Sequence, residues 1–284
     1  METHLDRFFP PVFTTRWPVE IHRLCELSLI LMSVRESRCA IDGGYPSWAD
    51  RIARECQHRL SRSRSQPWRA PTAHLAPDRT GRAEGMLVFT ALQRATGQLP
   101  GVFTPVPSLR KAPTTAAGAL DFDAALAADL RGARDCRGDM QSVLDSLMRR
   151  YPDGLDAAGR GDLYDLTHTV FYATRFGGRD PAWSETHRAW AEKSTGSMAA
   201  TRCRLGDYDL AAELTAAALW AGAPLDEDHQ EVIDTLSDHA VTTGQIPPWS
   251  GQFDPARDHF GNGYHTTLTA LAALVAADSG QQAG

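Results

Sequence analysis

Apolar residues along this chain recur every three or four positions, and runs that alternate apolar with polar residues are scarce. A period near 3.6 predicts amphipathic helices, whereas strict alternation would predict strands. Ala, Leu, Arg and Glu dominate the periodic segments, and these residues have high helix propensity. We therefore predict an all-α fold. The predicted helices cover residues 18–37, 47–61, 81–96, 122–137, 139–150, 162–176, 182–204, 207–220, 226–243 and 263–278.

A weak internal repeat groups these helices into pairs. Tyr164-Asp165-Leu166, Tyr208-Asp209-Leu210 and Tyr264-His265-Thr266 each open a predicted helix, with spacings of 44 and 56 residues. A glycine follows each helix at the expected left-handed C′ position, and these glycines are Gly177, Gly222 and Gly280. A further helix lies between successive copies, which is typical of stacked α/α helical hairpins. Such hairpins form either an open solenoid or a closed ring, and we predict an incomplete α/α toroid.

The chain is predicted to form one helical domain over residues 1–284, with two segments that could divide it. Residues 63–78 are rich in Arg, Ser and Pro, and residues 100–118 hold four of the prolines. Both segments are loop-like in composition. They either separate an N-terminal helical unit (1–62) from the rest, with a loop-rich stretch over 63–120, or form long loops at one end of a single domain.

Charge and cysteine content narrow the function classes. The net charge is −6, and Lys and Arg form no long runs, which argues against binding to nucleic acid or to a membrane surface. No apolar run approaches the ~20 residues of a membrane helix, and no signal peptide is visible. The five cysteines are widely spaced without a Cys-x-x-Cys pair, so we expect a reduced, cytoplasmic protein. Motifs for zinc proteases, nucleotides and terpene cyclisation are absent, and we predict no metal and no cofactor.

The segment from Asp162 to Gly177 predicts a helix with two different faces. One face is apolar and consists of Leu163, Leu166, Val170, Phe171 and Ala173. The opposite face carries a carboxylate, an imidazole, two phenols and a guanidinium, from Tyr164, Asp165, His168, Tyr172 and Arg175. These groups do chemistry or bind polar ligands, so this face is a candidate site.

Asp165 and His168 are three residues apart and share a helix face. The carboxylate could orient the imidazole, which is the arrangement that a general base needs. A structural alternative remains open, because Asp162 as N-cap would place Asp165 at position N3, where capping favours an acid. The second copy of the repeat keeps the Tyr-Asp pair but continues with Ala211 and Ala212. The repeat itself therefore does not require the histidine.

The segment Gly261-Asn-Gly-Tyr-His-Thr-Thr267 is a second candidate site. Its glycines are predicted to lie just before a helix whose first N–H groups could bind an anion. His265, Thr266 and Thr267 would lie in the first turn of that helix, with His265 as a donor or proton carrier. The alternative is an ordinary loop in which Asn262 caps the helix.

Two aromatic turns could form walls of a pocket. Residues 42–48 read Asp-Gly-Gly-Tyr-Pro-Ser-Trp, either a constrained pocket turn or a plain turn with Ser47 as the next N-cap. In residues 247–253, Trp249 and Phe253 either cover the pocket or pack helix ends together.

The two candidate segments, Asp165 to Gly177 and Gly263 to Thr267, resemble an uncharacterised actinobacterial all-helical family. Its members carry a Leu-Thr-His-x-x-Phe-Tyr-x-Thr-x-Phe-Gly segment and a later Tyr-His-Thr-Thr segment, and many are encoded in natural-product biosynthetic clusters. The likeness covers mainly residues 160–275. The family pattern has an acidic residue before Phe-Gly, whereas this chain has Arg175, which implies a ligand of different charge.

More distantly, the chain is similar to the aziridine-forming protein of azinomycin biosynthesis, which acts by sulfate elimination. That similarity implies that His168 or Asp165 is a base acting on an amine. It also implies that His265, Arg175 and the helix N-terminus hold the departing sulfate.

We therefore predict a cofactor-independent enzyme of bacterial specialised metabolism that acts on a small polar or anionic metabolite. Its chemistry would be proton abstraction with elimination or cyclisation, on a substrate that is free or bound to a carrier protein. The predicted catalytic residues are His168, Asp165 and His265, and the predicted substrate-binding residues are Tyr164, Tyr172, Arg175, Tyr264, Thr267 and Trp249.

Two other functions remain open from the sequence. The chain could be a non-catalytic scaffold, a carrier-protein docking unit or a sensor in a biosynthetic operon, with a partner protein chain. A glycan-processing toroid would need two facing carboxylates, for which Asp42 and Asp165 are the available pair.

Overall fold

The computed structural model of the chain describes residues 7–8, 17–36, 46–62, 79–96, 121–251 and 260–281. Ten α-helices lie in these segments, together with an isolated bridge between Asp207 and Trp249. The prediction of an all-α fold is confirmed. The helices are α1 (Trp17–Glu36), α2 (Ser47–Arg62), α3 (Arg79–Thr96), α4 (Phe122–Leu130), α5 (Arg137–Arg150), α6 (Arg160–Thr174), α7 (Glu185–Arg204), α8 (Tyr208–Ala221), α9 (Glu227–Thr243) and α10 (Phe260–Gln281).

Side-chain caps explain where several helices begin. The carboxylates of Asp121, Asp207 and Asp226 and the hydroxyl of Ser184 each accept a hydrogen bond from a backbone N–H in the first turn of the helix that follows. Such a bond satisfies one of the donors that a helix start leaves unpaired. At the other end of α8, Gly222 takes the predicted left-handed C-cap conformation.

Three predictions about helix ends were wrong. The N-cap of α6 is Gly159 rather than Asp162, which lies in the first turn and accepts hydrogen bonds from Tyr151 and Arg150. The left-handed C-cap of α6 is Arg175, with φ of 52°, two residues before Gly177. The third glycine, Gly280, lies within α10.

Two further corrections concern capping residues. Helix α10 begins at Phe260, so the glycines at 261 and 263 and Asn262 lie inside the helix, not in a loop before it. The carbonyl of Pro46 accepts the first backbone hydrogen bonds of α2, from Ala49 and Asp50, which makes Ser47 the first helical residue instead of the N-cap. The remainder of the 42–48 turn, the segments 63–78 and 100–118, and Phe253 lie outside the described residues.

The chain divides into two compact units, residues 1–36 with 40–139 and residues 37–39 with 140–284. In the first unit, α3 packs against α1, α2 and α4. Leucines of α1 and α3 whose side chains are described, among them Leu27, Leu31, Leu87 and Leu92, are buried there, and Arg94 on α3 pairs with Glu36 at the end of α1. One domain over 1–284, with or without a separate unit over 1–62, stays a prediction, as does closure into a toroid.

In the second unit, α8 is the central helix. It contacts α6, α7, α9 and α10, and residues 209–218 are all buried. Alanines fill five of these ten positions, and their small side chains let four neighbouring helices approach. A helix enclosed on every side is expected to be apolar throughout. Asp209 and Glu213 depart from that expectation, and they are the starting point of the candidate site.

The apolar face predicted for α6 packs toward this central helix. Leu163, Leu166, Val170 and Ala173 have no exposed surface, and Phe171 is 5% exposed. This part of the prediction is confirmed. None of the described helices has the combination of length and hydropathy required to cross a lipid bilayer.

Gly206→Ala is expected to lower the free energy of unfolding by roughly 2–4 kcal/mol. Gly206 has φ of 78°, and an added β-carbon would lie 2.6 Å from the Ser250 β-carbon. Gly244→Ala is the matched control, because φ is 74° there and no atom lies within 4 Å; its expected cost is about 1 kcal/mol. Urea unfolding of the full chain measures both. Equal costs would contradict the close approach of residue 250 to Gly206.

Candidate functional site

Glu213 is an ionised carboxylate at the centre of the second unit. Its side chain is 1% exposed. Oε2 accepts a hydrogen bond of 2.6 Å from the Thr167 hydroxyl on α6, and Oε1 lies 3.2 Å from Nε2 of His265 on α10. Burial opposes ionisation, but the hydrogen bond from His265, the charges of His168 and His265, and the hydrogen bond from Thr167 hold the pKa of Glu213 below its ordinary value.

Asp209 lies one turn before Glu213 on the same face of α8. Its Oδ1 accepts a hydrogen bond of 2.9 Å from Thr266 and lies 3.6 Å from Nε2 of His265. Its Oδ2 accepts a hydrogen bond from the Tyr164 hydroxyl. Asp209, Glu213 and His265 are called the carboxylate–imidazole cluster below. Their three nearest ligand atoms all lie within 4.8 Å of one another, and carboxylate and imidazole groups can hold a divalent metal ion.

Arg160 supplies positive charge on one side of this cluster. Its guanidinium pairs with Asp207 and, at 3.4 Å, with Oδ2 of Asp209. It also lies over two aromatic rings, 5.1 Å from the Tyr164 centroid and 4.8 Å from the Trp249 centroid. The rings and the two carboxylates together fix the position of the guanidinium.

Tyr164 is a neutral hydrogen-bond donor. Burial raises the pKa of its phenol well above the ordinary value, and the charge and hydrogen bond of Asp209 raise it further. Tyr164 therefore donates to Asp209 and accepts from Arg160 at 2.6 Å.

His168 lies on the same side of α6 as Tyr164. Its ring is stacked on Tyr172, with centroids 5.9 Å apart, and tilted toward Tyr164 at 6.2 Å. The charge of His168 acts on Glu213 of α8 as well as on its own neighbour Asp165. Both predicted histidines, His168 and His265, therefore act on the same buried carboxylate.

Asp165 lies at the surface of α6, and partial burial raises the pKa of its carboxyl. The nearby charge of Asp162 raises that pKa further, whereas His168 and Arg150 lower it. Ionised Asp165 therefore costs stability, in spite of its favourable interaction with His168.

The other predicted site residues lie at different distances from the cluster. Tyr264 is stacked on Phe260 and makes an edge contact with His265. Thr267 donates to the Gly263 carbonyl and accepts from the Ile246 N–H, so its hydroxyl fixes a loop. Arg175 is eleven residues beyond Tyr164, about 16 Å along the helix axis. Asp42 lies outside the described residues.

A family model described as Domain of unknown function (DUF6895) matches residues 1–275 of the chain. The chain belongs to this family. No curated protein and no solved structure matches the chain. The match spans residues of both compact units, and the carboxylate–imidazole cluster lies within the matched residues.

Sequence reasoning missed the two carboxylates, Asp209 and Glu213, and the hydroxyls of Thr167 and Thr266 that hold them. The second copy of the repeat lacks the histidine of the first copy, yet its helix supplies both acids. A signal was present, because Glu213 stands alone in the run Leu-Ala-Ala-Glu-Leu-Thr-Ala-Ala-Ala-Leu. Charged residues are almost never fully buried unless they are paired, so an acid inside a buried helix indicates a partner elsewhere.

Arg160→Leu is expected to lower the free energy of unfolding by roughly 2–4 kcal/mol, because it leaves Asp207 and Asp209 buried without their guanidinium. In an Asp207→Asn background the loss should be smaller by about 1 kcal/mol or more. Arg204→Leu is the control, since its ion pair with Glu231 is exposed and is worth under about 1 kcal/mol. A double-mutant cycle by urea unfolding measures the coupling, and strict additivity would contradict it.

Asp165→Asn is expected to stabilise the chain at neutral pH but not in acid. The folded-state pKa of Asp165 is raised above its ordinary value of 3.8, so the ionised form destabilises the folded state at pH values above both pKa values. Below the ordinary pKa the carboxyl is protonated in both states, and the gain disappears. Unfolding at pH 7 and at about pH 3.5 measures this, with Asp153→Asn in an exposed turn as the control. A gain independent of pH would point to the amide itself.

Proposed function

We propose that this DUF6895 chain is an enzyme of bacterial specialised metabolism that moves a proton on a small polar metabolite, leading to elimination or cyclisation. The observation that carries the proposal is the Glu213 carboxylate in the core of the second unit, 1% exposed, which accepts a hydrogen bond from Thr167 on α6 and lies 3.2 Å from Nε2 of His265 on α10. Apolar residues of similar volume often stabilise a protein core as well as buried charged residues do, or better, so stability alone does not account for Glu213. Strongly perturbed titratable groups cluster at functional sites.

His168 is the general base of the proposed reaction. It takes a proton from the substrate, the electron pair of the broken bond forms the new double bond or ring bond, and the leaving group departs with its own electron pair. The imidazolium that results is stabilised by the negative charges of Glu213 and Asp165. Stacking on Tyr172 restricts the orientation of the ring, which general base catalysis requires.

The carboxylate–imidazole cluster binds the polar group of the substrate. His265 lies between two carboxylates, so its surroundings are negative and favour a positively charged partner over a bare anion. The sequence predicts that His265 binds an anion together with Arg175. We propose instead that His265 lies beside a positively charged group. Tyr164 and Trp249 act through Arg160, as residues that position the cluster.

The resemblance of α6 to the Leu-Thr-His-x-x-Phe-Tyr segment supports a role in natural-product biosynthesis. His168 and Tyr172 match the His and Tyr of that segment, and their rings stack on each other. Elimination of a sulfate with ring closure, as in the aziridine-forming protein, is the form of the reaction that this resemblance favours. A non-catalytic scaffold or docking function stays a prediction.

His168→Ala is expected to lower the turnover rate by a factor of about 100 or more. Helicity and melting temperature should change little, because the His168 ring is only half-buried. The full chain is incubated with a small-molecule extract of an actinobacterial culture, and mass spectrometry follows which metabolite is consumed. A new product lighter by the mass of a leaving acid is expected.

The controls separate catalysis from folding. His187→Ala removes another half-buried histidine, one that pairs with Asp145 on α5, and should leave conversion unchanged. His168→Gln keeps a polar side chain of similar length and should be as inactive as His168→Ala. Equal conversion by wild type and both His168 variants would overturn the proposed role of this residue.

A further inference from the structure

We propose that Asp209, Glu213 and His265 bind one divalent first-row transition metal ion. The site stands on its own geometry. We also propose that the bound ion holds the polar group of the substrate beside His168, and this role rests on the proposed function.

The distances within the cluster suit a metal ion. Nε2 of His265 lies 3.2 Å from Oε1 of Glu213 and 3.6 Å from Oδ1 of Asp209, and all three ligand atoms fall within 4.8 Å of one another. Around an ion with bonds of about 2.0–2.2 Å, neighbouring ligand atoms lie roughly 3.0–3.6 Å apart. The two carboxylate oxygens lie within 4.8 Å of each other, so they would close in by roughly 1–2 Å at most, within reach of side-chain rotations.

The charge around the cluster is an independent observation. Asp207, Asp209 and Glu213 are three buried carboxylates, with relative exposures of 0%, 6% and 1%. The ion pairs of Asp207 and Asp209 use the single guanidinium of Arg160, and Glu213 pairs with His265. Among the described residues, these three carboxylates share one permanent positive charge, that of Arg160. A divalent cation supplies the missing charge, and buried carboxylates without compensation are strongly destabilising.

Surrounding hydroxyl groups hold both carboxylates in place. Thr266 donates to Asp209, and Thr167 donates to Glu213, while Tyr164 donates to the second oxygen of Asp209. Hydrogen bonds of this kind orient the carboxylate ligands of metal sites and raise metal affinity. The three hydroxyls come from α6 and α10, the two helices that flank the acids on α8.

The site has an approach from solvent and room for further ligands. The His265 side chain is 33% exposed, which gives an ion a path of entry. Three protein ligands leave at least one coordination position for a substrate or water, as in catalytic metal sites. One imidazole and two carboxylates, with no thiolate, suit Zn²⁺ or Mn²⁺ better than Cu⁺.

The test is direct metal binding by the full chain after chelator treatment. Titration calorimetry with Zn²⁺, and electron paramagnetic resonance with Mn²⁺, should show one ion per chain and a rise in melting temperature. Glu213→Gln and His265→Gln are each expected to weaken binding by at least about 10–100-fold. Asp145→Asn is the matched control, because it disrupts a carboxylate–imidazole pair with His187 outside the cluster and should bind normally.

Three results would overturn the site. They are no binding at about 1 mM of either ion, unchanged binding by both cluster variants, and loss of binding in the Asp145→Asn control. If Glu213→Gln fails to fold, as circular dichroism would show, His265→Gln alone decides, because its side chain is partly exposed.

A further comparison separates the site from the proposed function. His168→Ala should bind the ion like wild type while losing turnover. If the wild type binds the metal ion but converts no metabolite, the proposed enzymatic function is overturned and the proposed metal site stands. If the chelator-treated chain converts the metabolite fully, the role of the ion in substrate binding is overturned and the proposed enzymatic function stands.

Discussion

The second unit of this chain is organised around the cost of keeping Glu213 ionised inside a helix core. A buried carboxylate needs hydrogen bonds and positive charge within a few ångströms. Both come from other helices, through Thr167 on α6 and His265 on α10. The pairing of α8 with these two helices is therefore set by polar chemistry as well as by the packing of alanines and leucines.

Asp207 at the start of α8 is also a buried carboxylate that needs hydrogen bonds and positive charge. Asp207 caps α8, pairs with Arg160 and is bridged to Trp249 by backbone contacts. The Ser250 N–H donates to the carbonyl of Gly206 at 2.8 Å, which holds the Trp249 ring where it can cover the guanidinium. The start of α8 is therefore capped, charge-paired and covered at one place, and the cluster lies immediately beyond it along the helix.

The candidate site shows how far sequence patterns reach. The two faces of α6 were predictable from the sequence. A helical period of 3.6 residues puts Leu166 and His168 on different faces, whichever helices pack against α6. Thr266, rather than the neighbouring Thr267, donates to Asp209, and α10 begins three residues before its predicted start. One residue on a helix is about 100° of rotation, and that decides which hydroxyl reaches the acid.

By itself, the sequence determined the all-α fold, the approximate helix bounds, the buried face of α6 and the chemical character of its opposite face. These depend on local periodicity and capping, which act over a few residues. The tertiary structure decided that Tyr164 meets Asp209 and that His265 meets Glu213, over separations of 45 and 52 residues. Such pairings depend on which helix faces meet across the core, and hydrophobic spacing along one helix carries no information about the polar partner on another.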